Sequence, residues 1–382
     1  MVDPFSSRPS PKLIFGNGVI KELPGEIVQL GVKSLLLVTD PGLVKAGHVE
    51  KTCALLKEAG IGVHVYENVS ENPTESDAED CCNFAKTKSF DGFVALGGGS
   101  SIDTAKACNF LLTNGGRMSD YHGYGKAKNP LLPFMAIPTT AGTGSECQSY
   151  ALVSRDGSHE KMACGDPKAL ARLAILDPEI TNTQPRPIAV QTGIDALAHA
   201  LESAVSSKRT ELSSMYSEAA FRHILRAIDD IVDCNPQGDD RGHMLLGAAL
   251  SGLAIENSML GAAHASANPL TARYGVIHGR AVAKMLPHVM RFNEGVEGAA
   301  RIYERYSAIL KEFGISSMSL IDWVTHLTGR MQEIDITADD SEIRELASEA
   351  KAQWTGDFNP RPVEESDYVE LYRAAFALPK PA

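Results

Sequence analysis

"FVALGGGSSIDTAKACNFLLTNG", residues 93–115, joins an apolar strand-like run, three glycines and a helical pattern without interruption. The run ends at Gly97-Gly98-Gly99, and a helix opens around Ser100 to Asp103, so the stretch predicts a strand–turn–helix unit. Glycines in such a turn let backbone N–H groups approach a phosphate, and the helix start adds unsatisfied donors and a partial positive field. A pyrophosphate held there would lie beyond the carboxyl end of the strand, where open α/β sheets take their ligands. The spacing is not GxGxxG and no P-loop Lys-Ser/Thr follows, so a plain tight turn is the competing interpretation.

The neighbouring segments extend the pattern in both directions. "SLLLVTD" (34–40), "GVHVYENV" (62–69), "LPFMAIPTT" (132–140) and "LAILDPEIT" (173–181) are strand-like. "HVEKTCALLKEAG" (48–60) and "SDAEDCCNFAKTKS" (76–89) are helical. Strands alternating with helices across short connections predict a parallel sheet covered by helices on both faces, up to about residue 180. After "TQPRP" (183–187) the pattern becomes helical throughout, with strong amphipathic helices in "TELSSMYSEAAFRHILRAIDDIVD" (210–233) and "EGAARIYERYSAILKEFG" (297–314). The expected organisation is an α/β dinucleotide-binding domain over 1–184 and an all-helical domain, carrying metal and substrate, over 185–382.

Composition narrows the functional classes. The 36 Lys and Arg against 48 Asp and Glu give a net charge of −12, which argues against a nucleic-acid binder and gives no reason for adhesion to an anionic membrane. The seven cysteines form no CxxC pair, which suits packed thiols in a reducing compartment. With no signal-like apolar core at the N-terminus and no apolar run of spanning length, a soluble cytoplasmic protein is expected.

Three further sets of residues suggest chemistry. "PTTAGTGSE" (138–146) is a second turn after a strand, where Thr139, Thr140 and Thr143 could donate to a phosphate or ribose, or cap the next element. Asp40 closes a strand; a carboxylate there can accept from adenosine ribose hydroxyls and repel a 2′-phosphate, or cap a turn before Pro41-Gly42. In "QTGIDALAHALESAV" (191–205), Asp195 and His199 stand at i and i+4 and so share a helix face. His264 and His278 each sit among small or apolar residues, and three imidazoles with one carboxylate suit Fe(II) or Zn(II). A divalent ion beside a nicotinamide would polarise a carbonyl oxygen or acidify an alcohol. His48, His64, His122, His159, His223, His243, His288 and His326 lack such neighbours and are expected at the surface or in packing.

Taken as a set, "LIFGNGVIKELP" (13–24), "GGGSSIDTAKA" (97–107), "IPTTAGTGSE" (137–146), "LAILDPEIT", "GIDALAHALES" (193–203), "HGRAVAKMLPHVMRFN" (278–293) and "NPRP" with "LYRAAF" near the end resemble the iron-containing (group III) alcohol dehydrogenase family. The resemblance implies a Rossmann-like α/β domain followed by an all-α domain, with metal in the cleft between them. It implies Asp195, His199, His264 and His278 as metal ligands. Gly98, Gly99, Ser100 and Asp103 would form the pyrophosphate turn, with Thr139, Thr140 and Thr143 as the second cofactor loop. Asp40, Asn72 and Lys161 would make further contacts, Asp40 favouring NAD(H) over NADP(H). His278 and Asn268 would stand nearest the reacting atoms of a small alcohol or aldehyde, in a homodimer or larger homo-oligomer with Fe(II), or alternatively Zn(II).

The chain departs from the family pattern in places. The family usually carries a histidine where this chain has Asn268, and an amide cannot serve as general acid or base, so the proton must travel through water or cofactor ribose. Cys147-Gln148 replace the usual Val-Thr, and Thr271 a usual glycine, which suggests an altered substrate. A hydroxyacid–oxoacid transhydrogenase with retained cofactor, a dehydroquinate synthase-like lyase and a non-catalytic protein of the same fold are the alternatives.

Overall fold

Gly92–Gly97 is buried along its whole length, as a strand must be when both faces of its sheet are covered. It is strand β4 of a computed structural model that describes residues 4–157, 160–331, 336 and 338–376. Arg8–Pro185 form one compact unit, and the described residues up to Ser7 together with those from Arg186 onward form another.

Among its described residues the first unit holds nine strands: β1 (Lys12–Phe15), β2 (Ser34–Val38), β3 (Gly62–Tyr66), β4, β5 (Gly123–Tyr124), β6 (Phe134–Pro138), β7 (Tyr150–Ser154), β8 (Lys161–Gly165) and β9 (Leu173–Leu176). Its helices are α1 (Leu23–Gln29), α2 (Pro41–Lys45), α3 (His48–Glu58), α4 (Glu75–Lys86) and α5 (Gly99–Asn114). Six strands make a parallel sheet in the order β1-β9-β6-β4-β2-β3. Phe93 and Ala95 of β4 point into the core shared with α4 and α5, whereas Val94 and Leu96 point into the opposite core with Leu23, Ile27 and Leu56. Burying each such large side chain stabilises the sheet by about 1.5–3 kcal/mol.

Register sets which loops meet. Gly97 of β4 lies opposite Pro138 of β6, Ala95 opposite Val38 of β2, and Val38 opposite Tyr66 of β3. The segments after these four strands, carrying Asp40, Asn72, Gly97–Ser100 and Thr139–Thr143, therefore leave the same end of the sheet. The expected alternation does not run unbroken to residue 180, however. Strand β5, before β6, and strands β7 and β8, after it, form a separate three-stranded sheet in the order β5-β8-β7, in which β7 and β8 are antiparallel. Tyr150–Ser154 and Lys161–Gly165 are short, largely buried strands, and so lack the apolar–polar alternation that marks a hairpin.

The second unit is helical among its described residues: α6 (Arg186–Val205), α7 (Glu211–Leu225), α8 (Ile228–Val232), α9 (Asp240–Ser258), α10 (Ala262–Tyr274), α11 (His278–Asn293), α12 (Glu297–Glu312), α13 (Leu320–Gly329), α14 (Asp340–Lys351) and α15 (Glu365–Ala375). The amphipathic stretch 210–233 is two helices rather than one, because Ala227 leaves the helical region at φ −131°, ψ −21°. Helix α6 is buried from Gly193 to Val205, which accounts for its nearly unbroken apolar and small-residue composition. Among the described residues no single helix is long and apolar enough to cross a membrane.

Candidate metal centre and cofactor loops

Helix periodicity builds half of the metal centre. Asp195 and His199 project from one face of α6, and both are buried. His264 enters from the first turn of α10, and His278 is the first residue of α11. Asp195, His199 and His264 each offer a ligand atom, and those atoms all lie within 4.8 Å of one another. Three imidazole nitrogens converge on one oxygen: Nε2 of His264, His199 and His278 lie 3.3, 3.6 and 3.9 Å from Asp195 Oδ1. Ligands at zinc- or iron-type bond lengths around a tetrahedral ion stand about 3.4 Å apart, so the spacing suits a shared cation. His278 sits at the rim, its side chain 21% exposed against 5% for His264.

The electrostatics favour a cation too. Burial alone would raise the Asp195 carboxyl, but the charge of His199 and the hydrogen bond from His264 hold it well below the usual carboxylate range, helped by His278. Burial opposes charge on His264, yet Glu202 and Asp195 push its imidazole up to about 9. Two buried carboxylates thus demand positive charge between them, and the donor set fits a divalent metal.

In the other unit, the glycine turn and the threonine loop are pressed together. A Cβ on Gly98 would lie 3.2 Å from Thr140 Oγ1, and one on Gly99 would lie 2.8 Å from Thr143 Cγ2. A side chain at Gly99 would force Thr143 to shift, and one at Gly98 would press Thr140 by a few tenths of an ångström. No side chain caps α5, whose first N–H groups are left for an anion, as a dinucleotide pyrophosphate requires. Ser100 Oγ accepts from the backbone N–H of Asn72 at 3.2 Å, and Asn72 takes φ +52° to meet it. Asp103 is buried and its Oδ1 has no protein hydrogen-bond partner among the described residues, leaving an acceptor for a ribose hydroxyl or carboxamide N–H. Burial pushes Asp103 up to about 6, against the nearby charges of Lys106 and Lys161. Asp40 caps α2, its Oδ1 accepting from Leu43 N–H at 3.2 Å; any ribose contact has to share the carboxylate with this cap.

Several contacts were not evident from sequence. Lys106 is buried, and its Nζ donates to the carbonyls of Ser145, Gln148 and Tyr150 at 2.7, 2.7 and 2.8 Å, pinning the end of the threonine loop. Lys106, the lone cationic residue of α5, was the available signal. Burial pushes Glu146 in that loop up to about 7, against a backbone hydrogen bond and Lys106. Gln148 donates to the Thr143 carbonyl at 2.8 Å, so its amide braces the loop. Asn268 Nδ2 donates to Gln353 Oε1 at 2.9 Å. Glu202, at i+7 from Asp195 and i+3 from His199, lies on the ligand face of α6 and reaches His264 Nδ1. Of the remaining histidines, His223 and His243 pair through Nδ1 atoms 3.0 Å apart, and His159 lies outside the described residues.

Residues 10–178 match the family described as iron-containing alcohol dehydrogenase, and residues 189–376 match the C-terminal part of the Fe-containing alcohol dehydrogenase family. Alcohol dehydrogenase 4 of Schizosaccharomyces pombe is 37% identical over 73% of this chain and 66% of its own length. Choline dehydrogenase of Bacillus subtilis is 34% identical over 95% of this chain and 93% of its own length. Among solved structures, a 1,3-propanediol oxidoreductase is 29% identical with a TM-score of 0.88, covering 98% of this chain and 100% of that one.

Proposed function

The chain belongs to the iron-containing alcohol dehydrogenase family, and from that premise we propose an NAD(H)-linked alcohol dehydrogenase or aldehyde reductase acting on a small molecule. The observation that carries the proposal is the ring of three imidazole Nε2 atoms about one buried Asp195 oxygen. Asp195, His199, His264 and His278 would hold Fe(II), or alternatively Zn(II). When bound, the ion would supply Lewis-acid polarisation of the substrate oxygen, and a nicotinamide cofactor would supply the hydride-transfer chemistry.

The chain's own groups divide the remaining work. The α5 N-terminus and the threonine loop would hold the dinucleotide, and the Asp40 carboxylate would disfavour a 2′-phosphate. Oxidation of the alcohol removes a hydride from carbon and a proton from oxygen. Asn268 cannot take that proton, and its amide nitrogen is committed to Gln353. The proton route proposed is water or a cofactor ribose hydroxyl. The proposal includes a cytoplasmic homo-oligomer; none of the seven cysteines is in a disulfide, which suits a reducing compartment. Neither the transhydrogenase nor the lyase alternative draws support from the relatives, which are named as dehydrogenases.

The test is turnover on metal-reconstituted protein, following NADH while alcohols, hydroxyacids and phosphate- or phosphonate-bearing aldehydes are screened. Reduction of NAD by an alcohol alone is the expected result; a requirement for a paired oxoacid would instead point to transhydrogenation. His264→Ala is expected to lose metal and at least about 100-fold in turnover while still binding NAD. Turnover near wild type in that variant would refute the metal assignment.

A further inference from the structure

We infer that Glu202 is the positioning residue of the metal centre, fixing His264 so that its Nε2 lone pair is aimed at the ion. The inference rests on the metal-centre assignment above. Glu202 is buried on α6, and its two oxygens do different jobs. Oε1 accepts from the backbone N–H of Ala263 at 2.8 Å, capping α10, and Oε2 accepts from Nδ1–H of the adjacent His264. One carboxylate therefore ties the imidazole to the start of the helix that carries it. With Nδ1–H held by Glu202, Nε2 is the nitrogen left to give up its proton to a bound cation, and it lies 3.3 Å from Asp195 Oδ1.

The surroundings are built around this carboxylate. A Cβ on Gly261 would stand 3.0 Å from both Glu202 Oε1 and Asn359 Oδ1, so a larger residue there would press both acceptors back from the α10 N-terminus. Asn359 Oδ1 accepts from Ala262 N–H at 3.2 Å, and its amide nitrogen donates to Asn293 Oδ1 and the Arg361 carbonyl at 2.7 Å each. Asn293 returns a bond to Asn359 Oδ1 at 3.1 Å, which fixes the orientation of both amides. The cap of α10 is thus shared: Asn359 takes Ala262, and Glu202 takes Ala263 together with the imidazole.

This division explains why a carboxylate is required. Glutamine offers one acceptor oxygen and one donor nitrogen. It would have to turn an N–H toward either Ala263 N–H or His264 Nδ1–H, opposing two donors at a buried position.

The experiment compares full-length wild type, Glu202→Gln and His264→Gln. Apo protein is titrated with Zn(II) against a chromophoric chelator, and folding is checked by circular dichroism. Folded Glu202→Gln is expected to bind Zn(II) about 10- to 100-fold more weakly than wild type. In parallel, wild type carrying ¹⁵N-histidine is loaded with Zn(II), and the His264 resonances are assigned by their loss in His264→Gln. Protonated Nδ1 and metal-shifted Nε2 are expected. Unchanged zinc affinity in folded Glu202→Gln, or Nδ1 as the metal-bound nitrogen, would overturn the role of Glu202. If Glu202→Gln does not fold, the nitrogen spectrum of the wild type decides alone. Wild type that takes up no zinc would overturn the metal centre itself, and Glu202's role with it.

Discussion

Gly279 follows the ligand His278 on α11, and a Cβ there would lie 2.2 Å from the carbonyl oxygen of Gln191 on α6, 2.7 Å from its carbonyl carbon and 3.2 Å from its Cα. All three atoms are backbone, so no side chain can rotate away. In a regular helix the Gln191 carbonyl accepts from the N–H of Asp195, so the methyl would press on the turn holding another ligand. Clearing the clash requires α11 to move off α6 by about 0.8–1 Å, whereas metal ligands tolerate about 0.2 Å. Gly279→Ala is therefore expected to detach His278 from the ion. It should destabilise the helical unit by about 1–3 kcal/mol and lower turnover about 100-fold, with NAD affinity unchanged. Gly298→Ala is the matched control, since its Cβ would meet only Arg209 Nη2 at 3.9 Å in α12; it should be neutral or stabilising by up to about 1 kcal/mol. The assay is urea denaturation with zinc titration and steady-state turnover. A Gly279→Ala protein with wild-type metal affinity and turnover would refute the reasoning.

Other consequences follow from the buried charges. Glu146 ionises near 7 when folded and near 4.5 in an exposed chain. Between those values the folded state binds more protons, so stability falls as pH rises through the window, by up to about 3 kcal/mol. Glu146→Gln should flatten that slope and raise the melting temperature at pH 8 but not at pH 4.5; parallel melting curves for the two proteins across pH would contradict this. Lys106→Met leaves three loop carbonyls without their donor, and should cost about 3 kcal/mol or more and weaken NAD binding, read by denaturation and cofactor fluorescence. Asp40→Gly should improve use of NADP(H) about tenfold or more while losing only about 0.3 kcal/mol with the α2 cap. Unchanged cofactor discrimination would leave Asp40 as a cap alone.

Local spacing carried much of this into the sequence. The strand and glycine turn at 93–99 and the i, i+4 pair Asp195 and His199 are short-range patterns, and helix and strand periods translate them into geometry. His264 and His278 were marked by their small, apolar surroundings and by family resemblance. What escaped depends on contacts between distant segments. Gln353 meets Asn268 across 85 residues, and Glu202 meets His264 across 62. Gln191 lies against Gly279, and no periodicity in either helix announces it. Strands β7 and β8 were hidden because both faces are largely buried, which erases alternation. Asp40 shows the ambiguity of a polar residue at a strand end, since the cap is formed whether or not a ribose also binds.

An anomalous-difference map at the iron edge, from crystals of iron-loaded protein, addresses the metal centre without intermediaries. A single strong peak about 2.0–2.2 Å from Asp195 and from Nε2 of His199, His264 and His278 is the expected result. A fully loaded protein with no peak among those four side chains, or with its iron elsewhere, would contradict the centre on which the proposed chemistry depends.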